Sequence, residues 1–200
     1  MKKKIVAAAL ACILCIGVGI GGTLAWLTDD TDEVVNTFTY GDINIVLDES
    51  ELQDDGSLDT NTRVIANTFD LVPGDIQAKD PMVTVKAGSE ACYLFVKITK
   101  SENFDTFMED IIVASGWNEL SGVNGVYYRE VDAIDEDAED VTFYVLAGET
   151  YTTGEVIVSD EVTKEMVNEL TTAPTLTFQA YAVQSDNVAD AAAAWAIANP

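Results

Sequence analysis

Cys92-Tyr93-Leu94-Phe95-Val96-Lys97-Ile98-Thr99 decides the fold. Cys92, Leu94, Val96 and Ile98 alternate with Tyr93, Phe95, Lys97 and Thr99. Successive side chains on a strand point to opposite faces, so a period of two reads as β. Both faces are apolar around Phe95, which predicts a strand covered on both sides and central in its sheet. Cys92 lies on one apolar face and reads as a buried small hydrophobe.

The same alternation recurs outward from this strand. Phe38, Tyr40, Ile43, Ile45 and Leu47 predict a first strand with a kink at Gly41. Residues 49–61 read as an acidic loop with a tight turn at Asp54-Asp55-Gly56. Leu71-Val72-Pro73-Gly74-Asp75 predicts a type II turn, in which Pro fixes the first φ and Gly accepts the second. Val83 and Val85 form a strand, and Ala87-Gly88-Ser89 another turn. Phe104, Phe107, Met108, Ile111 and Ile112 fall at helical spacing, so a helix over 104–113 is expected, capped by Asn103. Trp117 should pack back on the core. Further strands are expected at Tyr127–Val131, Val141–Val145 and Val156–Val158, and a short helix around Val162, Met166 and Leu170. Leu176, Phe178, Ala180 and Ala182 alternate in a late strand read as central. An alanine-rich helix should follow, with Asn187 capping it and Val188, Ala191 and Trp195 on its contact face. Strand follows strand without regular helix alternation. The expected fold is all-β, an antiparallel β-sandwich with two or three short inserted or terminal helices.

The start of the chain is of another kind. Lys2, Lys3 and Lys4 precede an apolar run of sixteen residues from Ile5 to Ile20. Gly21-Gly22-Thr23-Leu24-Ala25 follows, and then the acidic Trp26-Leu27-Thr28-Asp29-Asp30-Thr31-Asp32. A basic region, an apolar region and a small-residue site make a signal peptide. The run is shorter than the roughly 20 residues that span a bilayer as a helix. Residues 1–25 are therefore read as a leader cut after Ala25, with Thr23 and Ala25 at the small-residue positions and Trp26 as the new N-terminus. No stable membrane span is expected after cleavage. Residues 26–200 are expected to form one domain, with 26–34 a flexible segment. Cys12 and Cys15 leave with the leader, so Cys92 has no intrachain partner.

Three of the ten basic residues lie in the leader, and none of the thirty-five acids does, so the mature chain carries a net charge of −28. Nucleic-acid binding rests on Lys and Arg displacing phosphate counterions, so this balance excludes it as the expected partner. An anionic membrane surface is disfavoured for the same reason. The absence of His removes HExxH zinc hydrolysis and the usual Ser-His-Asp and Cys-His mechanisms. No phosphate-binding glycine loop appears, and no pair of carboxylates stands out for glycoside hydrolysis. Asp132, Asp135, Asp137 and Asp140 crowd one loop and are weak candidates for calcium, a hard cation that takes oxygen ligands. Their spacing is not that of an EF-hand, and a solvated acidic loop without any cofactor is the favoured reading.

Several of these stretches together carry a family resemblance. Gly21-Gly22-Thr23-Leu24-Ala25-Trp26-Leu27-Thr28-Asp29 resembles the leader–mature junction of the TasA and camelysin-like exported matrix proteins of Gram-positive bacteria. Val35-Asn36-Thr37-Phe38-Thr39-Tyr40-Gly41-Asp42-Ile43-Asn44-Ile45 resembles their first strand. Leu71-Val72-Pro73-Gly74-Asp75 corresponds to their Pro-Gly turn, which Lys79-Asp80-Pro81 continues. Thr177 to Gln184 followed by Ala194-Trp195 is similar to the tail of related clostridial proteins. The resemblance implies a jelly-roll-like sandwich, cleavage by a SipW-type signal peptidase, and secretion to the cell surface or extracellular matrix. It also implies self-association into biofilm fibres, or association with other matrix or cell-wall components. Some relatives are labelled metalloendopeptidases, a label that a chain without His does not fit.

Fibre assembly has a physical form in this sequence. An open sheet edge offers N–H and C=O groups that an added strand satisfies. Trp26, Leu27, Val35, Phe38 and Tyr40 are the residues through which a strand released by cleavage would bind a neighbour. The competing expectation keeps Phe38 and Tyr40 in the chain's own first strand. Three functions are weighed: a matrix subunit, a monomeric surface adhesion or accessory protein, and, least favoured, a secreted hydrolase.

Overall fold

The computed structural model describes residues 42–199, all within one compact unit. The fold is all-β, built of antiparallel sheets with short helices. Its centre is β5 (Cys92–Lys100), as the alternation at Cys92–Thr99 requires. On one side β5 pairs with β12 (Leu176–Gln184), Lys100 opposite Leu176 and Cys92 opposite Gln184. On the other it pairs with β8 (Val126–Val131), beyond which lies β7 (Asn118–Glu119). The second four-stranded sheet has the order β2 (Leu58–Val64), β1 (Ile45–Leu52), β4 (Met82–Val85), β9 (Val141–Tyr144). Two small ladders join β3 (Ile76–Ala78) to β11 (Glu155–Ile157) and β6 (Ile112–Val113) to β10 (Leu146–Ala147).

The alternation of β5 sorts its side chains between two cores. Cys92, Leu94, Val96 and Ile98 join Ala180 and Ala182 of β12 and meet Ile45, Val83 and Val85 of the other sheet. Phe95, with Tyr181 and Val183, faces the opposite way and is covered by the terminal helix. Leu94, Phe95 and Val96 are completely buried, each worth about 1.5–3 kcal/mol relative to exposure. Burial also pushes the Cys92 thiol up to about 11, so it stays a neutral hydrophobe at physiological pH. A third core, around Phe107, Val158 and Val162, lies under the connections.

Three short helices are present among the described residues: α1 (Phe104–Phe107), α2 (Lys164–Asn168) and α3 (Ala191–Ala198). Helix α3 buries Ala191, Ala194, Trp195 and Ala198, with the Trp195 ring 5.3 Å from Phe95 and 5.2 Å edge-on from Tyr181. Its cap is Asp190, whose carboxylate accepts from Ala193 N–H at 2.8 Å, and not Asn187. Asn187 instead takes a left-handed turn (φ 63°) ahead of the helix, a conformation Asn tolerates better than most residues.

Other expectations change for identifiable reasons. The helix expected over 104–113 stops at Phe107. Met108 is extended and bridges to Val158, and Ile112–Val113 pair with β10. The apolar spacing beyond Phe107 therefore serves strand contacts and not one helical stripe. Asn103 gives no side-chain cap; its amide donates to Thr172 O at 2.9 Å. The expected 49–61 loop is a hairpin, β1 continuing to Leu52 and β2 beginning at Leu58. The turn between them is as expected, with Gly56 at φ 81°. Val72–Asp75 forms the expected type II turn, Asp75 N–H reaching Val72 O at 3.0 Å with Gly74 at φ 74°. β12 is not central: among the described strands it ends its sheet. Its apolar character on both faces comes from lying between the second sheet and α3.

Candidate functional site

A sheet protein offers its edges, where N–H and C=O groups lack a ladder partner. Among the described strands, four end the two larger sheets: β2, β9, β7 and β12. β2 is blunted by polar residues. Asp59 accepts from Asn61 N–H at 2.9 Å and Thr62 Oγ1 at 2.9 Å, bonds that lower its pKa. β9 is four residues long, and Tyr144 O already accepts from Trp117 Nε1 at 2.8 Å. β7 is only two residues.

β12 differs from all three. It runs nine residues, Leu-Thr-Phe-Gln-Ala-Tyr-Ala-Val-Gln, without a charge or a proline. Its ladder phase follows from its ends: Ser101 N–H donates to Thr175 O at 3.0 Å, and Ser185 N–H to Ala91 O at 2.9 Å. Odd-numbered positions thus exchange bonds with β5, and even-numbered ones turn outward. Tyr181 and Ala182 are already engaged. Leu176 and Phe178, both half-buried, turn their N–H and C=O away from β5, and among the described residues no strand pairs with them. Edge strands usually carry Lys, Pro or a bulge against unwanted pairing, and this one has no such guard.

Beside Phe178 lies a buried polar network built by Lys79-Asp80-Pro81. Lys79 Nζ is 2.7 Å from Glu49 Oε2, with both side chains more than nine-tenths buried. The same ammonium stands 5.1 Å from the Phe69 ring centroid and 5.6 Å from that of Phe178. Asp80, turned the other way, accepts from Ser50 N–H at 2.8 Å and Ser50 Oγ at 2.7 Å. Arg63 of β2 completes the cluster, donating to Ser50 Oγ at 2.7 Å and to Asp48 Oδ1 at 2.9 Å. Asn67 ties the chain after β2 to β1, accepting from Leu52 N–H and donating to Ser50 O, both at 2.8 Å. These groups satisfy one another, so the network reads as architecture that ties the 65–80 connection to β1.

Sequence reasoning noticed Lys79 and Asp80 only as part of a motif and missed Glu49, Ser50, Arg63 and Glu155. The available signal was polar residues on strand positions whose neighbours face the core. Glu155 is buried and accepts from the N–H groups of Glu149, Thr150 and Tyr151 at 2.9 Å each. Burial raises its pKa, and the three N–H donors outweigh that and hold it below the ordinary carboxylate range.

The sequence-derived site residues are placed as follows. Thr23, Ala25 and Trp26 at the expected cleavage site, and Leu27, Val35, Phe38 and Tyr40 of the expected assembly strand, lie outside the described residues. Asp132, Asp135, Asp137 and Asp140 are all exposed. Asp140 accepts from Lys86 Nζ at 2.9 Å and Ala87 N–H at 3.0 Å, which lowers its pKa and pins the loop to the 86–89 turn. Asp135 contributes its carbonyl to a turn with Ala138 N–H. Among the described residues no three acidic or thiol side chains converge as metal ligands. No helix among them is long and apolar enough to cross a membrane.

Comparisons of the chain with protein-family models, with curated proteins and with solved structures find no match.

Proposed function

We propose that this chain is a secreted structural protein of the cell surface or extracellular matrix, whose copies associate by adding a strand to an open sheet edge. The observation that carries the reading is the uncharged edge of β12 at Leu176 and Phe178, with which no strand among the described residues pairs. The donor is the segment 26–40 of another copy, freed by a SipW-type signal peptidase after Ala25. It would place Trp26, Leu27, Val35, Phe38 or Tyr40 along the edge. The fold in this reading is a jelly-roll-like sandwich of the TasA/camelysin kind, and the role is non-enzymatic and needs no cofactor.

A net charge of −28 on the mature chain opposes close packing of copies through like-charge repulsion. Salt, calcium or low pH should each relieve it. The test reads the N-terminus of the exported protein and measures its native size as each condition is varied. A start at Trp26 with multimers that grow with salt supports the reading. Monomer under all three conditions overturns assembly and leaves a monomeric surface protein. A chain that retains residues 1–25 in the membrane overturns the secretion step.

A further inference from the structure

Arg129 lies on β8 one step past the β7–β8 pairing of Asn118 with Tyr128, level with Trp117. Its guanidinium carbon sits 3.8 Å from the Phe143 ring centroid and 5.2 Å from that of Trp117. Both rings are fixed. Trp117 is tied through Nε1 to Tyr144 O, and Phe143 meets it edge-on at 6.5 Å. Gly116, at φ 87°, leaves room that a Cβ would fill, since that atom would fall 2.7 Å from Arg129 Nη2. Gly116 and Trp117, just before β7, and Phe143 of β9 thus shape a seat for one guanidinium.

We propose that Arg129 is a binding site for a carboxylate brought by another molecule. Lys79 also rests on two aromatic rings and is met there by Glu49. Arg63, Lys86 and Lys100 each pair with aspartates. Lys97 and Lys164 make no ion pair among the described residues, but neither is held on an aromatic ring. Arg129 makes no ion pair, and no N–H of its guanidinium meets an acceptor among the described residues, in a chain with thirty-five Asp and Glu. Burial alone shifts its pKa, downward, as expected where no carboxylate stands near enough to raise it.

A guanidinium is a planar fork that pairs with a carboxylate through two parallel N–H···O bonds, which an ammonium cannot copy. The rings hold the fork in place before anything binds, so less side-chain freedom is lost on binding. Exposed Val141, two residues before Phe143 and on the same face of β9, gives a ligand apolar surface on that face. The carboxylate can come from a small organic acid or from an acidic side chain of a second copy, such as those at Asp29, Asp30, Asp32 and Glu33.

The test follows the Arg129 Nε–H and Trp117 Nε1–H signals by NMR on the nitrogen-labelled protein. Sodium acetate and a synthetic peptide of residues 28–40 are titrated separately, with sodium chloride as the matched ionic-strength control. Both signals should shift saturably beyond the chloride control. R129Q should weaken binding roughly tenfold or more, read at Trp117, and R129K should fall between it and the parent. Saturation by acetate assigns the site to small carboxylates, and saturation by the peptide alone assigns it to a chain-borne acid; either supports the proposal. Absence of a saturable shift with both ligands overturns it, as does a folded R129Q or R129K that binds as tightly as the parent.

Discussion

Replacing Lys79 with Met should destabilise the fold by about 3–5 kcal/mol, because it leaves Glu49 buried with no counter-charge. Met keeps most of the methylene stem, so lost packing contributes little. The Nζ also rests against Phe69 and Phe178, contacts worth about 0.5–2 kcal/mol that disappear with it. Glu49→Gln should cost less, about 1–3 kcal/mol, since the amide oxygen still accepts from Lys79. The double replacement K79M/E49L removes both buried charges together. It should lie within about 1 kcal/mol of the parent or above it, because burying an ion pair costs nearly what the pairing returns. Urea unfolding followed by circular dichroism measures the parent, K79M, E49L and K79M/E49L, the four corners of the cycle, with E49Q alongside and an unchanged slope certifying two-state behaviour. Total stabilities of about 5–15 kcal/mol make the K79M loss easy to see. A K79M loss under about 1 kcal/mol, or a double variant as damaged as the sum of the single ones, would refute the argument.

Asp80→Ala should cost about 3 kcal/mol or more, because Ser50 N–H, Ser50 Oγ and Arg63 lose a common acceptor, and D80N should cost less. Thermal melts of the two variants rank them. Trp195→Ala should cost about 3–5 kcal/mol by uncovering Phe95 and Tyr181, and proteolysis should then trim α3 first. Glu155 is held below its ordinary value, so the folded state binds fewer protons than the unfolded one. Its stabilising contribution is present in full above the ordinary value of 4.5 and is lost as pH falls through the lower folded value. E155Q should therefore flatten the acid limb of the stability–pH curve, measured by denaturant midpoints at stepped pH.

Much of the fold could be read locally. The period of two at Cys92–Thr99 and Leu176–Val183 needs only neighbours along the chain, because a pleated strand alternates its faces whatever it pairs with. Pro73-Gly74 and Gly56 mark their turns because φ preference is a property of the residue itself. Helical spacing at Phe104–Ile112 misled, since apolar residues three and four apart also serve a short helix followed by a bridge and a strand. Acidic composition misled at Glu49 and Ser50, which read as loop yet are buried in β1 because Lys79 and Asp80 arrive from thirty residues away. The standing of β12 was legible from neither composition nor period. A strand enclosed by a sheet on one face and a helix on the other has the same sequence pattern whether it is central or at an edge, because side chains report what covers the faces and the backbone alone reports what pairs at the edge. The seat of Arg129 is likewise a tertiary product: Gly116, Trp117 and Phe143 come together only when the two sheets pack, and no sequence spacing encodes that meeting.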